Sequence, residues 1–213
     1  MKRIWLVLII ILSLNLLVGC NDVTQETEKE KSNDVNQGKV VPINNPADYF
    51  PLAKGSFWEY EGDGNEYASF NRKVLFTKGN LAQISEDNGG TVITRIIEAA
   101  DNGIKLVYFE PESYNPNNML ETAFVSNNDT ILIKGPIQVG TNWTDNDGAK
   151  EIVAVDAQVD TPIGKFDNCI KIKTKSIEEV IYRYYKKDIG MVKQEFISGD
   201  TTITSTLKKY KIE

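Results

Sequence analysis

Histidine is absent from the sequence. Ser-His-Asp and Cys-His catalysis, histidine-ligated zinc and imidazole-based pH sensing are thereby removed together. Cysteine is scarce, with Cys20 and Cys169 alone in 213 residues, too few for a disulfide framework. No phosphate-cradling loop and no paired-cysteine motif occurs, so no cofactor and no metal is expected. Positive charge is in deficit: 24 Lys+Arg stand against 30 Asp+Glu, a formal net charge of -6. Nucleic acid and anionic lipid headgroups are poor partners for such a chain. Hydrophobic residues at 41% and charged residues at 25% lie close to the average soluble domain, which excludes wholesale disorder and a multi-span membrane protein.

Long apolar runs are missing except at the N-terminus, where residues 4–18 are apolar apart from Ser13 and Asn15 and follow Lys2 and Arg3. A helix needs about 20 apolar residues to cross a hydrocarbon core of about 30 Å, so this run reads as an export signal. It ends in Leu17-Val18-Gly19-Cys20, which resembles the lipobox of bacterial lipoproteins. The resemblance implies that the Cys20 thiol receives a diacylglyceryl group, that signal peptidase II cuts before it, and that acylated Cys20 becomes the first mature residue. Palmitate-type acyl chains, worth about 0.8 kcal/mol per buried CH₂, then anchor the chain to the outer face of the cytoplasmic membrane. A cleaved secretory signal with an incidental cysteine, or an uncleaved anchor helix, is the competing reading. Residues 21–45 carry no aromatic side chain and little apolar periodicity, the composition of a disordered tether. About 25 such residues reach roughly 25 to 30 Å, as a spacer through the first wall layer or as simple relief from crowding at the bilayer.

From residue 49 onward, short alternating runs are cut by turn residues at intervals near ten, which predicts an all-β domain built as an antiparallel meander. Asp63-Gly64, Asn88-Gly89-Gly90, Asp101-Asn102-Gly103, Asn127-Asn128-Asp129, Asn146-Asp147-Gly148 and Ser198-Gly199-Asp200 supply residues that tolerate positive φ in hairpins. Strands are expected at 91–99, 104–110, 120–126, 130–134, 152–159, 166–174, 179–187, 191–197 and 201–209. Phe166, Ile170 and Ile172 alternate with Asp167, Lys171 and Lys173, so one face is buried and the other wet. Such sheets curl into half-barrels or stack as sandwiches.

An internal echo divides this region. Pro51-Leu52-Ala53-Lys54-Gly55-Ser56-Phe57-Trp58 returns 85 residues later as Pro136-Ile137-Gln138-Val139-Gly140-Thr141-Asn142-Trp143. A weaker echo links Asp101-Asn102-Gly103-Ile104 and Phe109 with Asp188-Ile189-Gly190-Met191 and Phe196, 87 residues on. Proline stiffens the approach, glycine permits a tight turn and tryptophan opens a strand by burying a large ring. Internal duplication is one reading, and a recurrent strand-opening corner is the other. The expected organisation is a signal peptide at 1–19, lipidated Cys20 with its tether at 20–47, and two similar β subunits at 48–133 and 134–213.

The Asp48-Tyr49-Phe50-Pro51-Leu52 start, the Gly-x-x-Trp corner, and the segments 161–169 and 184–193 are similar to stretches of uncharacterised lipoproteins from Gram-positive bacteria. The likeness covers most of residues 48–197. It implies an exported β domain in a Gram-positive bacterium and transfers no catalytic residue.

Chemistry-bearing patterns are few. Ser205-Thr206-Leu207-Lys208 has the S-x-x-K spacing of penicillin-recognising enzymes, but that chemistry needs a helical turn and this pattern lies in a strand, where i and i+3 face opposite ways. Asp145-Asn146-Asp147-Gly148 is similar to a calcium loop, yet aligning its glycine leaves Trp143 and Ala154 at ligand positions, so a hairpin turn is expected. With Cys20 acylated, Cys169 is the one remaining thiol; strand parity places it with Lys171 and Lys173 and partly exposed, as a structural residue or a reactive thiol lacking a base. A carboxylate pair for glycoside hydrolysis leaves no linear signature. Tyr182, Tyr184 and Tyr185 are read either as core edges or as a candidate aromatic contact surface for peptide or sugar, with Tyr182 and Tyr184 on one face. The expectation is therefore a non-enzymatic, membrane-anchored lipoprotein that binds or scaffolds an envelope protein or wall component. The alternative is a carrier or sensor of a small apolar ligand held in the curled sheet.

Overall fold

The computed structural model describes residues 45–213 apart from Ala123. The signal peptide, Cys20 and nearly all of the tether lie outside the described residues. The described residues belong to one compact unit.

Twelve strands follow one another: β1 (Phe57–Asp63), β2 (Phe70–Lys78), β3 (Leu81–Asp87), β4 (Val92–Ala100), β5 (Gly103–Glu110), β6 (Thr130–Lys134), β7 (Asn142–Asp145), β8 (Gly148–Thr161), β9 (Gly164–Lys175), β10 (Glu179–Lys186), β11 (Gly190–Ser198) and β12 (Thr201–Lys211). A single 3₁₀ turn, Pro46–Tyr49, precedes them. The strands form one antiparallel sheet in the order β6-β5-β4-β3-β2-β1-β12-β11-β10-β9-β8-β7. Each half, β1 to β6 and β7 to β12, is a meander of neighbours joined by turns apart from the longer β1–β2 and β5–β6 connections, and β1 pairs with β12 to make the sheet continuous. Gly64, Gly89, Gly148 and Gly199 stand at positive φ in these connections, where any Cβ would be strained.

A sheet of this width with a right-handed twist rolls up, and here it becomes a nearly closed barrel rather than a two-layer sandwich. The outermost strands meet without a backbone ladder. Ile131 of β6 instead exchanges hydrogen bonds with side chains from β7 and β8. Its N–H donates to Asp145 Oδ2 at 2.9 Å. Its carbonyl accepts from Trp143 Nε1 at 3.0 Å and Lys150 Nζ at 3.2 Å. Lys150 is buried and bound to Asp145 at 2.7 Å.

Inward positions bury a continuous core that includes Trp58, Tyr60, Val74, Ile84, Ile97, Ile104, Ile152, Ile170, Ile172 and Leu207. Each large aliphatic or aromatic ring withdrawn from water contributes roughly 1.5 to 3 kcal/mol. The 3₁₀ turn and Phe50 stop one end of the barrel. Asp48 O accepts from Asp188 N at 2.6 Å and the Asp48 carboxylate pairs with Lys187. The opposite end carries the β1–β2 and β3–β4 connections.

One expected strand, 120–126, does not form. The described residues between 111 and 129 make an irregular excursion across β3 and β4, held by Gln83 and by Thr94 bonded to Ser113. Its apolar groups pack there as a cover: Leu120 is buried, and Phe124 meets the Tyr108 ring edge-on at 5.9 Å. The buried Gln83 amide fixes the path, accepting from Met119 N and donating to Asn117 O, both at 2.8 Å. Those bonds satisfy backbone that would otherwise need a strand partner.

Candidate functional site

The rolled sheet encloses a cavity of about 460 Å³. Both halves wall it: Phe70, Ile84, Ile97 and Leu106 from the first, Met191, Phe196 and Ile203 from the second. Asn65, Tyr67, Asn88 and Thr91 also border it, on the two connections at the unstopped end. Tyr67 is 57% exposed there, so this rim is the mouth.

Strand alternation that places apolar groups inward also brings charge into this cavity. Arg72, Glu86 and Arg95 lie on the adjacent strands β2, β3 and β4, and Arg183 lies on β10. Glu86 Oε1 takes contacts from Arg72 Nη2 at 2.9 Å and Arg72 Nε at 3.0 Å. Burial alone would raise the Glu86 carboxyl, but Arg95 and Arg72 outweigh it and hold it down to about 2. The Arg72 guanidinium is also enclosed by rings, 5.7 Å from Phe50, 5.9 Å from Tyr60 and 5.7 Å from Phe70. Desolvation opposes its charge, and Glu86 reverses that and raises its pKa. Arg95 Nε lies 3.2 Å from Glu86 Oε1, too oblique for a hydrogen bond, and is a buried donor without an acceptor. Arg183 Nε donates to Gln194 Oε1 at 2.8 Å.

The residues singled out from the sequence take other places. Tyr182 and Tyr184 share the outer face of β10, with Lys171 Nζ over both rings at 4.1 and 4.9 Å. Tyr184 is buried and donates to Glu195 Oε2 at 2.8 Å. Tyr185 points the other way and lines the cavity at 2% exposure. The three tyrosines therefore do not form one exposed surface, because alternation separates Tyr185 from the others and Lys171 covers what remains. Cys169 is fully buried rather than partly exposed. Asn168 adopts φ 53 at a bulge of β9, and the carbonyls of Phe166 and Asp167 just before it lie against the Cys169 thiol at 3.8 and 3.9 Å. Burial pushes the Cys169 thiol up to about 11 despite Lys186, so it stays protonated at neutral pH.

Ser205 Oγ donates to Ala68 O at 2.7 Å, while Lys208 reaches out to Glu61 at 3.7 Å. The two face apart, as strand geometry requires. Asp145 closes a hairpin turn through Asp147 N at 3.0 Å and spends its other oxygen on Lys150 and Ile131. The four charged residues of the cavity escaped the sequence reading, yet they left a signal. Arg72 stands in phase with Phe70 and Val74, Glu86 with Ile84, Arg95 with Ile93 and Ile97, and Arg183 with Ile181 and Tyr185. Charge on the apolar parity of a strand marks a polar interior.

No family model matches the chain, and no curated protein matches it. Two solved structures are similar in fold. One is a protein of Parabacteroides distasonis described as a lipoprotein, 16% identical, with a TM-score of 0.44 over 76% of this chain and 98% of that one. The other is a protein of Bacteroides fragilis described as exported and having a YmcC-like fold, 13% identical, with a TM-score of 0.46 over 76% of this chain and 98% of that one. Both organisms are Bacteroidetes, so neither bears on the likeness to Gram-positive lipoproteins.

Proposed function

We propose that this protein is an extracytoplasmic lipoprotein, anchored through Cys20, whose β domain binds a small molecule inside the rolled sheet as a carrier or sensor. The observation that carries this reading is the cavity of about 460 Å³ between the two halves, open at the Tyr67 rim. That volume lies within the range of about 300 to 1,000 Å³ common for small-molecule sites. A core that needed only stability would close this space, since interiors pack densely and leave few voids. The reading is non-catalytic. Ser205 is committed to a backbone carbonyl, Cys169 is buried and protonated, and no histidine exists to activate either. A docking role for the outer face of β10 has less support, because its tyrosines are covered by Lys171.

Two measurements test the parts separately. Cells fed a tagged fatty acid should label the wild type and leave Cys20→Ala unlabelled; equal labelling removes the anchor from the proposal. The neutral dye N-phenyl-1-naphthylamine should brighten with the chain from residue 21 and saturate at one site. Ile203→Trp, which fills the cavity from β12, should abolish that signal while melting at a temperature near wild type. An undiminished signal in the filled variant would place binding elsewhere and end the cavity reading.

A further inference from the structure

The cavity wall is unbalanced in charge. Arg72, Arg95 and Arg183 line it, and Glu86 is the one carboxylate among the lining residues. Arg72 is fully engaged by Glu86 and three aromatic rings. Arg95 is engaged only as an ion pair, its Nε 3.2 Å from Glu86 Oε1 and buried without a hydrogen bond, and its guanidinium lies over the Phe109 ring at 5.2 Å. A buried donor left without an acceptor costs about 1 to 3 kcal/mol, so a site built this way is complete only when something else supplies the acceptor.

The two halves place an arginine at the same ladder position, Arg95 beside Glu86 in the first and Arg183, bonded through Nε to Gln194, in the second. Across the first half the inward row runs Val74, Ile84, Arg95, Phe109. Across the second it runs Ile152, Ile172, Arg183, Gln194. Arg95 and Arg183 thus correspond strand for strand while facing one cavity. Glu86, one step from Arg95, has Thr174 as its counterpart beside Arg183, so the second half adds positive charge without a neutralising carboxylate.

We propose that the ligand is an amphiphile with a single oxyanion head, a carboxylate or a phosphate monoester, accepted by Arg95 and Arg183, with an apolar chain against Ile84, Ile97, Leu106 and Met191. This rests on the reading of the cavity as a ligand site. The arginine fork suits an oxyanion because it offers parallel donors in a fixed plane, and a low-dielectric wall strengthens the attraction. At roughly 30 Å³ for each water-sized group, the cavity of about 460 Å³ takes about 15 such groups, a chain of about ten carbons with its head.

Titration calorimetry on the chain from residue 21, which retains the whole compact unit of the described residues, compares four probes of one chain length: decanoate, decyl phosphate, decanol and decylamine. Decanoate, decyl phosphate or both should bind at least tenfold more tightly than decanol, and decylamine should bind least. Whichever oxyanion binds identifies the head. Arg95→Met and Arg183→Met should each weaken that probe tenfold or more without changing decanol binding, and Arg95→Lys should restore part of the loss. If decanol binds as well as decanoate and the arginine variants change nothing, the oxyanion assignment falls and the cavity reading stands. If decylamine binds best, the assignment is likewise overturned. If no probe binds, both fall.

Discussion

The two halves of the barrel open on the same corner and then use it differently. In the first, Gly55 N donates to Val74 O at 3.0 Å, Val74 N donates to Ser56 O at 2.9 Å and Ser56 N donates to Ala53 O at 3.1 Å. In the second, Gly140 N donates to Ile152 O at 2.9 Å, Ile152 N to Thr141 O at 2.9 Å and Thr141 N to Gln138 O at 3.2 Å. Gly55 and Gly140 share left-handed φ values of 96 and 89. Each opening segment also lies against the other half: Pro51 beside Gly190, and Gly135 bonded to Asn102 O at 2.8 Å. Opposite each tryptophan stands a cation, Arg72 beside Trp58 and Lys150 beside Trp143. Here the halves diverge. β1 has a full ladder to β12, so Arg72 is free to turn into the cavity with Glu86. β7 faces β6 without a ladder, so Lys150 and Asp145 are taken up in satisfying Ile131. One backbone device therefore supports a cavity wall in one half and a closing seam in the other, according to whether the neighbouring strand is paired.

Truncating the two rings puts the equivalence under most strain. Trp58→Ala and Trp143→Ala should each destabilise the fold by about 3 to 5 kcal/mol in urea titrations, and a near-zero loss for either would make its corner ornamental. The cations should separate next. Lys150→Met leaves Asp145 buried without its partner and should cost about 3 to 5 kcal/mol. Arg72→Met leaves Glu86 beside Arg95 and should cost less, about 1 to 3 kcal/mol. Equal losses would erase the distinction between wall and seam.

Acid should expose the first half selectively. Glu86 is held down to about 2 in the folded state, below the ordinary carboxylate value of about 4. Its contribution is therefore complete above that ordinary value and is lost as pH falls through the folded one. Chemical denaturation from pH 5 downward should show this decline in the wild type and a shallower one in Glu86→Gln. An unchanged profile in that variant would assign the acid sensitivity elsewhere. The smallest expected difference lies between Gly55→Ala and Gly140→Ala. Both force a side chain into left-handed backbone at about 1 to 2 kcal/mol. Gly55→Ala should lose slightly more, because its Cβ would meet Glu213 Cγ at 3.2 Å while the Gly140 position is open.

Strand positions were legible where local chemistry decides them. The 130–134 strand and the turns at Gly64, Gly89, Gly148 and Gly199 follow from β-branched runs and from residues that accept positive φ. Local chemistry misled where a partner out of sequence reach decides. The apolar stretch 120–126 reads as a strand until the Gln83 amide, more than thirty residues upstream, holds Asn117 and Met119 just ahead of it and Lys78 takes the Leu120 carbonyl. Cys169 reads as exposed from its phase with Lys171 and Lys173, yet the bulged backbone at Phe166 and Asp167 lies against its thiol and it is buried. The cavity is a consequence of curvature, which belongs to the whole sheet and to no segment. Its arginines were visible as charges in the apolar phase of β2, β4 and β10, but only closure of the sheet brings those phases together.

The side-chain seam at Ile131 has a consequence for solubility. An open twelve-stranded sheet would offer its two outermost strands as templates for strand addition by other chains, the usual route to aggregation. Here the Ile131 N–H is taken by a carboxylate and its carbonyl by an indole and an ammonium, so that stretch of β6 has little left to offer an incoming strand. The inward charge of Lys150 next to β7 works in the same direction, since an extended segment docking there would have to bury that ammonium away from Asp145. A seam of this kind lets a wide sheet exist at high local concentration without recruiting copies of itself.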